Sequence, residues 1–399
     1  HWKWMETSFE LLGQIGNDTV YLPLITRTHF GNSESILRYV KQPGGGHRPD
    51  FRLVDRYLDL AEKYQGEPQC IILYLWERYT CLSRRQKNKS KMKPLVTELD
   101  PKTGKVKEVA VPRFCTADGK TYWTPILRSV RDHIAKRGWA DALMIGIMAD
   151  WSIAPPRAAK FFDDILPGIR WVDQSHGAVG AIRVDGKKRV PIGYLTTVWN
   201  ARGPGNPRYG RRKYGWRRTT RYCQFARDLR RDHIPLYVYR TMPEWNIAGE
   251  QRGMGRFGAD FWNVFKRGEK VVKDRRHSAG ATIVHRYPDY SPWAQLVVRT
   301  SFLGWSPKGA VPSVHFEAMR EGVQNCEARI LLEKVLLDEK LRANLGDELA
   351  KEAQDVVTYR TWLMAHCHRG TPWFFDAGFT QRQHELYAMA ARVTNAVEK

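Results

Sequence analysis

No stretch of this chain reaches the roughly 18 consecutive apolar residues that a membrane-spanning helix needs. None of the six cysteines, Cys70, Cys81, Cys115, Cys223, Cys326 and Cys367, forms a Cys-x-x-Cys pair. A zinc knuckle or thioredoxin-type motif is thereby excluded. Cys367 stands between His366 and His368, but no second cysteine is near enough to complete a metal pattern, so neither metal nor cofactor is expected. No glycine-rich phosphate loop follows any apolar run, which argues against a nucleotide-binding sheet. His1-Trp2-Lys3-Trp4 has no initiator Met and no signal-peptide layering, so the start reads as a cut boundary. Acids are scarce beside bases: 42 Asp and Glu face 65 Lys and Arg, a net charge of +23.

That excess favours an anionic partner, and nucleic acid, an acidic membrane surface and a sulfated or uronic polysaccharide all fit. A generally basic composition with no specific partner is the plain alternative. Nucleic acid is the weakest of the three partners because no known nucleic-acid motif is present. The 15 Trp and 17 Tyr supply flat amphipathic rings suited to sugar faces, to bases, or to the core.

At 399 residues the chain can bury a large core. Apolar, β-rich runs recur at Cys70 to Trp76, Ala142 to Ala149, Ile169 to Val172, Ile192 to Trp199 and Ile234 to Tyr239. Runs apolar throughout signal parallel strands covered on both faces. Helical patterns alternate with them. One is capped by Asp50, with Val54, Leu58 and Ala61 on a stripe; one opens at Thr124-Pro125; one starts at Pro155-Pro156 and stops at Pro167-Gly168. Others span roughly Arg221 to Arg231 and pass through Gly258 to Trp262. A closed barrel and an open doubly wound sheet share this rhythm. With no phosphate loop, the expectation is an α/β fold of the TIM-type (β/α)8 barrel over residues 1–310. A helical C-terminal section follows over 311–399: Ser313 to Arg342, Gly346 to His366, and Gln381 to Val397.

In such a barrel the strand C-termini and the loops after them form the working face. Carboxylates there are candidates for glycosidic cleavage, which needs a proton donor and a second group at the sugar ring. Asp150 ends one strand, Glu77 another, and Glu244 follows the Ile234 run; these three are the catalytic candidates. Asp173 and His176 follow the Ile169 run. Trp76, Trp151, His176, Trp199, Tyr239 and Trp245 are the candidate binding side chains beside them. The loop after Trp199 carries Arg211 and Arg212 with Trp216 interleaved, and no acid from Arg202 to Arg221. Its guanidinium groups suit sulfate or carboxylate, while a solvated charge run is the alternative. The Lys-rich loop after Glu77 can be read either way.

The run His315-Phe316-Glu317-Ala318-Met319-Arg320-Glu321-Gly322-Val323-Gln324-Asn325-Cys326-Glu327 resembles a signature of bacterial proteins related to glycoside hydrolase family 123. Arg137 to Asp141 with the strand to Asp150, and the early Leu22 to Ile25 and Gly31-Asn32, are similar to the same group. The resemblance implies a barrel, a secreted or periplasmic setting, and glycan hydrolysis. In that family an adjacent Asp-Glu pair ends a barrel strand; the Glu is the general acid, and the Asp orients the substrate's acetamido group. Here the matching pair reads Asp150-Trp151, with Trp151 in place of the acid. The leading expectation is a hydrolase of an anionic polysaccharide. The alternative is a non-catalytic glycan-binding or structural barrel that has lost the acid.

Overall fold

The computed structural model describes residues 2–28, 32–76, 93–149, 154–175, 181–186, 188–198, 221–225, 236–248, 253–254, 259, 302–366 and 378–398. They fall into two units, His1–Thr197 with Phe257–Val311, and Val198–Arg256 with Pro312–Lys399. The helical section after residue 310 thus shares its unit with a segment far earlier in the chain.

The first unit opens with α1 (Trp2–Gly13) and β1 (Thr19–Pro23). Two short strands follow, β2 (Arg38–Lys41) and β3 (His47–Asp50). Next comes α2 (Arg52–Gln65), whose buried stripe is Val54, Leu58 and Ala61, as the spacing predicts. The Asp50 side chain accepts the Arg52 amide at 3.1 Å. Then β4 (Cys70–Tyr74) is buried at every position. After it come β5 (Leu95–Leu99), β6 (Val106–Ala110) and α3 (Ala117–Ala135). This helix begins one to two turns before the expected Thr124-Pro125, because Thr116 caps it by accepting the Gly119 amide at 3.0 Å; Pro125 lies inside. Leu127, Val130 and Ile134 face inward as expected. β7 (Leu143–Ala149), α4 (Pro156–Ile165) and β8 (Arg170–Ser175) keep the alternation. It then breaks: β9 (Ala181–Asp185), not a helix, separates β8 from β10 (Lys188–Val198).

The chain next contributes β11 (Arg221–Phe225), α5 (Leu236–Ala248) and β12 (Gly253–Met254) to the second unit. Two expectations are corrected here. The Arg221 segment begins as a strand, paired in parallel with β12, and the run expected as a strand over Ile234 to Tyr239 is helical from Leu236. Short apolar runs carry no periodicity that separates the two states. The hairpin β13 (Leu303–Ser306) and β14 (Gly309–Pro312) follows. The second unit ends with α6 (Val314–Leu337), α7 (Glu339–His366), whose helical course breaks at Gly346 (φ +71), and α8 (Phe379–Val397). The single helix expected over Ser313 to Arg342 stops at Asp338, whose carboxylate accepts the amides of Lys340 and Leu341 at 3.0 Å each and restarts the chain as α7. Leu332, Val335, Ala353, Val357, Leu386 and Val393 join these three helices in one apolar core.

Within the first unit the main sheet runs β1-β4-β7-β8-β10, each neighbour parallel, with β9 antiparallel on β10. A separate four-stranded sheet, β3-β2-β5-β6, mixes directions: β2 pairs β5 in parallel, and the flanking pairs are antiparallel. The described fold is therefore mixed α/β with a helical C-terminal section. The expected closed barrel is not shown: among the described residues the first unit's strands form an open row beside a second sheet. The helix expected through Gly258 to Trp262 lies outside the described residues.

Candidate active site

Parallel pairing puts the C-terminal ends of β1, β4, β7, β8 and β10 on one edge of the sheet. Pro23 aligns with Tyr74 and Tyr74 with Gly146; further along, Met148 aligns with Asp173 and Asp173 with Leu195. In sequence, Glu77 follows β4, Asp150 and Trp151 follow β7, His176 follows β8, and Trp199, Arg211, Arg212 and Trp216 follow β10. All eight lie outside the described residues. Asp173, expected after its strand, is inside β8 and buried.

Trp76 is the described candidate at this edge. Its amide and that of Leu75 donate to the Gly146 carbonyl at 3.0 and 3.3 Å, tying the tail of β4 to β7. The ring is 0% exposed, edge-on to Trp171 at 5.4 Å, and Trp171 is edge-on to Phe162 of α4 at 5.6 Å. The expectation that Trp76 binds sugar is corrected: a ring shut inside an aromatic cluster stabilises the core.

The loop leaving β1 holds a feature that sequence reading missed. Arg27 has φ +58, a left-handed conformation that costs a non-glycine residue about 1–2 kcal/mol. Its neighbours over-determine it. The Arg27 amide donates to the Asn32 carbonyl at 2.7 Å, and the Thr26 amide to the Leu95 carbonyl at 2.8 Å. The Asn32 side chain accepts the Thr28 amide at 3.0 Å and donates to the Ile25 carbonyl at 2.9 Å. The guanidinium grips Glu108 of β6 with two bonds, Nε to Oε2 at 3.0 Å and Nη2 to Oε1 at 2.5 Å. The Thr26 hydroxyl donates to the same Oε2 at 2.7 Å. Eighty-one positions separate Arg27 from Glu108, and nothing in the sequence links them.

Glu244, Tyr239 and Trp245 belong to α5, in the second unit. Glu244 is 1% exposed. Its Oε1 accepts from Arg360 Nε at 2.8 Å and from Arg329 Nη1 at 3.3 Å, and its Oε2 from Arg360 Nη2 at 2.5 Å. Arg329 also donates to Glu333 at 2.9 Å and to Thr361 at 2.7 Å. The catalytic expectation for Glu244 is corrected, since both oxygens are held by guanidinium donors inside the helical core. Tyr239 is likewise buried, 4.9 Å from the His315 ring, and desolvation pushes its phenol up to about 12. Its expected role on a sugar ring is corrected for the same reason. The side chain of Trp245 lies outside the described residues. Among the described residues, no group of three His, Cys, Asp or Glu is placed to hold a metal, and no helix is long and apolar enough to cross a membrane.

Residues 1–178 match the model of the glycoside hydrolase 123 catalytic domain. Over that part, under half of its length, the chain is similar to family 123. Ten solved chains are similar to it. One is a family 123 glycoside hydrolase from Clostridium perfringens, described for glycolipid glycan hydrolysis, at 12% identity and a TM-score of 0.53. The alignment covers 99% of this chain and 64% of that one, so this chain spans less than two thirds of that structure. At this identity the likeness shows the fold. No curated protein matches.

The family 123 match takes in both sheets as far as β8 and includes Asp150-Trp151. The signature-like His315 to Glu327 lies beyond it, on α6. There Gly322 has a structural reason: a Cβ would stand 2.6 Å from the Arg240 carbonyl oxygen and 2.7 Å from that of Tyr239. Glycine lets α6 approach the backbone of α5. In the same motif Glu321 pairs with Arg240 at 2.7 Å and accepts from Gln383 at 3.0 Å.

Proposed function

We propose that the protein is a glycoside hydrolase whose reaction takes place at the C-terminal edge of the main sheet. The observation that carries this reading is the match of residues 1–178 to a glycosidase catalytic domain, together with parallel strands that end on one edge just before Glu77 and Asp150. Asp150 is one catalytic carboxylate and Glu77 the second. Trp151, His176 and Trp199 contact the sugar. The substrate is an anionic polysaccharide, sulfated or uronic; a net charge of +23 and the acid-free Arg202 to Arg221 segment, with Arg211, Arg212 and Trp216, support this. Full barrel closure over residues 1–310, a C-terminal helical section, and a secreted or periplasmic setting belong to the same reading.

The test is hydrolysis of a panel of neutral, sulfated and uronic glycans by wild type and D150N. Loss of turnover in D150N with unchanged folding supports the assignment; equal turnover removes Asp150 from the mechanism. A second reading, glycan binding without hydrolysis, draws on the sequence resemblance, which sets Trp151 at the place of the family's acid. Affinity without any released sugar from wild type would establish it.

A further inference from the structure

We infer that Gly146 of β7 is a positioning residue, one that sets the facing of the two strand tails leading to Glu77 and Asp150. The inference rests on the hydrolase reading and names the element that its two carboxylates share. Two irregularities of the main sheet carry it, and both meet at Gly146.

The first is in β7. From Ile145 to Met148 this strand advances three positions while β8 advances two, from Trp171 to Asp173. One extra residue is held between these pairs. A bulge of this kind turns over the side chains beyond it relative to an unbroken strand, and bulges recur beside active sites, where they re-aim a side chain. In sequence, Asp150 lies two positions past Met148.

The second is in β4. A Cβ on Gly146 would stand 3.0 Å from Ile72 Cγ2 and 3.1 Å from Val172 Cβ, so Ile72, Gly146 and Val172 share one face. Strict alternation puts Trp76 on that face with Ile72. Its ring instead meets Trp171, which follows Arg170 and precedes Val172 in β8 and packs on Phe162 of α4, on the opposite face. The alternation of β4 has therefore slipped by one residue before Trp76. The slip sits where the Leu75 and Trp76 amides both reach the Gly146 carbonyl, at 3.3 and 3.0 Å. Glu77 is the next residue in the chain.

Gly146 thus does two things. Its carbonyl holds the end of β4, and its lack of a side chain lets β4 and β8 close on the bulge. A methyl there forces Ile72 and Val172 to give by a few tenths of an ångström, which shifts the two tails against each other. Chemistry shared by two carboxylates responds to such shifts, since misplacement by about 1 Å costs about a hundredfold in rate.

The test compares the full chain as wild type, G146A and V54A, the last a cavity control on α2. The probes are 4-nitrophenyl glycosides of neutral, sulfated and uronic sugars. G146A should lose about tenfold in kcat with KM within about threefold of wild type. The two limbs of its kcat–pH profile should move relative to each other, because carboxyl groups at a new separation influence each other's ionisation differently. V54A should melt earlier but keep wild-type kcat and pH profile. I72L removes the branched methyl nearest the new carbon, so G146A/I72L should lie between G146A and I72L in kcat. Should G146A not fold, the deficit of G146A/I72L against I72L is the quantity read. Equal kcat and equal pH profiles within the folded pair overturn the positioning role, as does an equal loss in V54A. Wild type without turnover on any probe sinks the hydrolase reading and this role with it. Active wild type with unaltered G146A sinks this role alone.

Discussion

His47 Nε2 and Glu98 Oε2 stand 2.8 Å apart, and the other ring nitrogen of His47 lies 2.9 Å from the Tyr122 hydroxyl. With Nε2–H donating to the carboxylate, Nδ1 accepts from the phenol, so the contacts fix the tautomer. Lys107 completes the row, 2.8 Å from Glu98 Oε1. The line joins β3, β5 and β6 of the second sheet to α3. Burial pushes the Glu98 carboxyl up, but hydrogen bonds from Lys107 and His47 outweigh it, and the carboxyl sits below its ordinary 4.5.

A depressed carboxyl stabilises the fold above its unfolded pKa, and that contribution is lost as pH falls through the folded value. Asp55 behaves alike: partial burial raises it, while His133 and Arg137 pull it below its ordinary 3.8. Thermal melts from pH 7 to pH 3 should show falling stability below about 4.5. E98Q should be less stable than wild type at pH 7, by about 1–3 kcal/mol, with the gap closing as the pH drops. A gap that widens in acid would contradict this.

Removing Glu244 leaves Arg329 and Arg360 short of a counter-charge inside the helical core. E244A should cost about 3–5 kcal/mol, read as a drop in denaturation midpoint. Turnover per folded molecule should hold. A stable E244A with lost turnover would restore Glu244 as a catalytic group.

In G322A the new methyl meets two backbone carbonyls of α5, which cannot rotate aside. The helices must separate, at a cost of about 1–3 kcal/mol or more. Chemical denaturation of G322A checks the magnitude. Serine at the same position should be at least as damaging.

Thiol chemistry offers a further check on burial. Cys70 and Cys326 are buried, and desolvation drives the Cys326 thiol well above its ordinary range. Cys115 is half-buried. Brief alkylation of native protein followed by peptide mass spectrometry should label Cys115 and spare the other two. Labelling at Cys326 before unfolding would contradict the packing of α6.

Four strands of the main sheet, β4, β7, β8 and β10, are legible in the sequence as apolar runs, whereas β1, with alternating burial, is not. Cys70 to Tyr74 is buried at all five positions and reads as one apolar run. The second sheet was not legible, for the opposite reason: Val106 to Ala110 is almost wholly exposed, and His47 to Asp50 is mixed. Glu244 reads as a loop residue after a strand because its helix opens with an apolar, aromatic run, Leu236 to Tyr239, which fits a strand equally well. Arg27 and Glu108 carried no local signal, since only the tertiary fold brings a loop after β1 against β6. The signature around Gly322 was visible as a pattern, but its physical reason, a close helix crossing, needed coordinates.

The second sheet has one more implication. β2 and β3 are an excursion between β1 and α2, and β5 and β6 an excursion between β4 and α3. Parallel bonding of Arg38 to Val40 with Thr97 to Leu99 welds the two detours together. A residue inserted within β2 or β5 shifts that strand's register against its partner and turns its side chains over to the other face. These two rims of the sheet can change only as a pair.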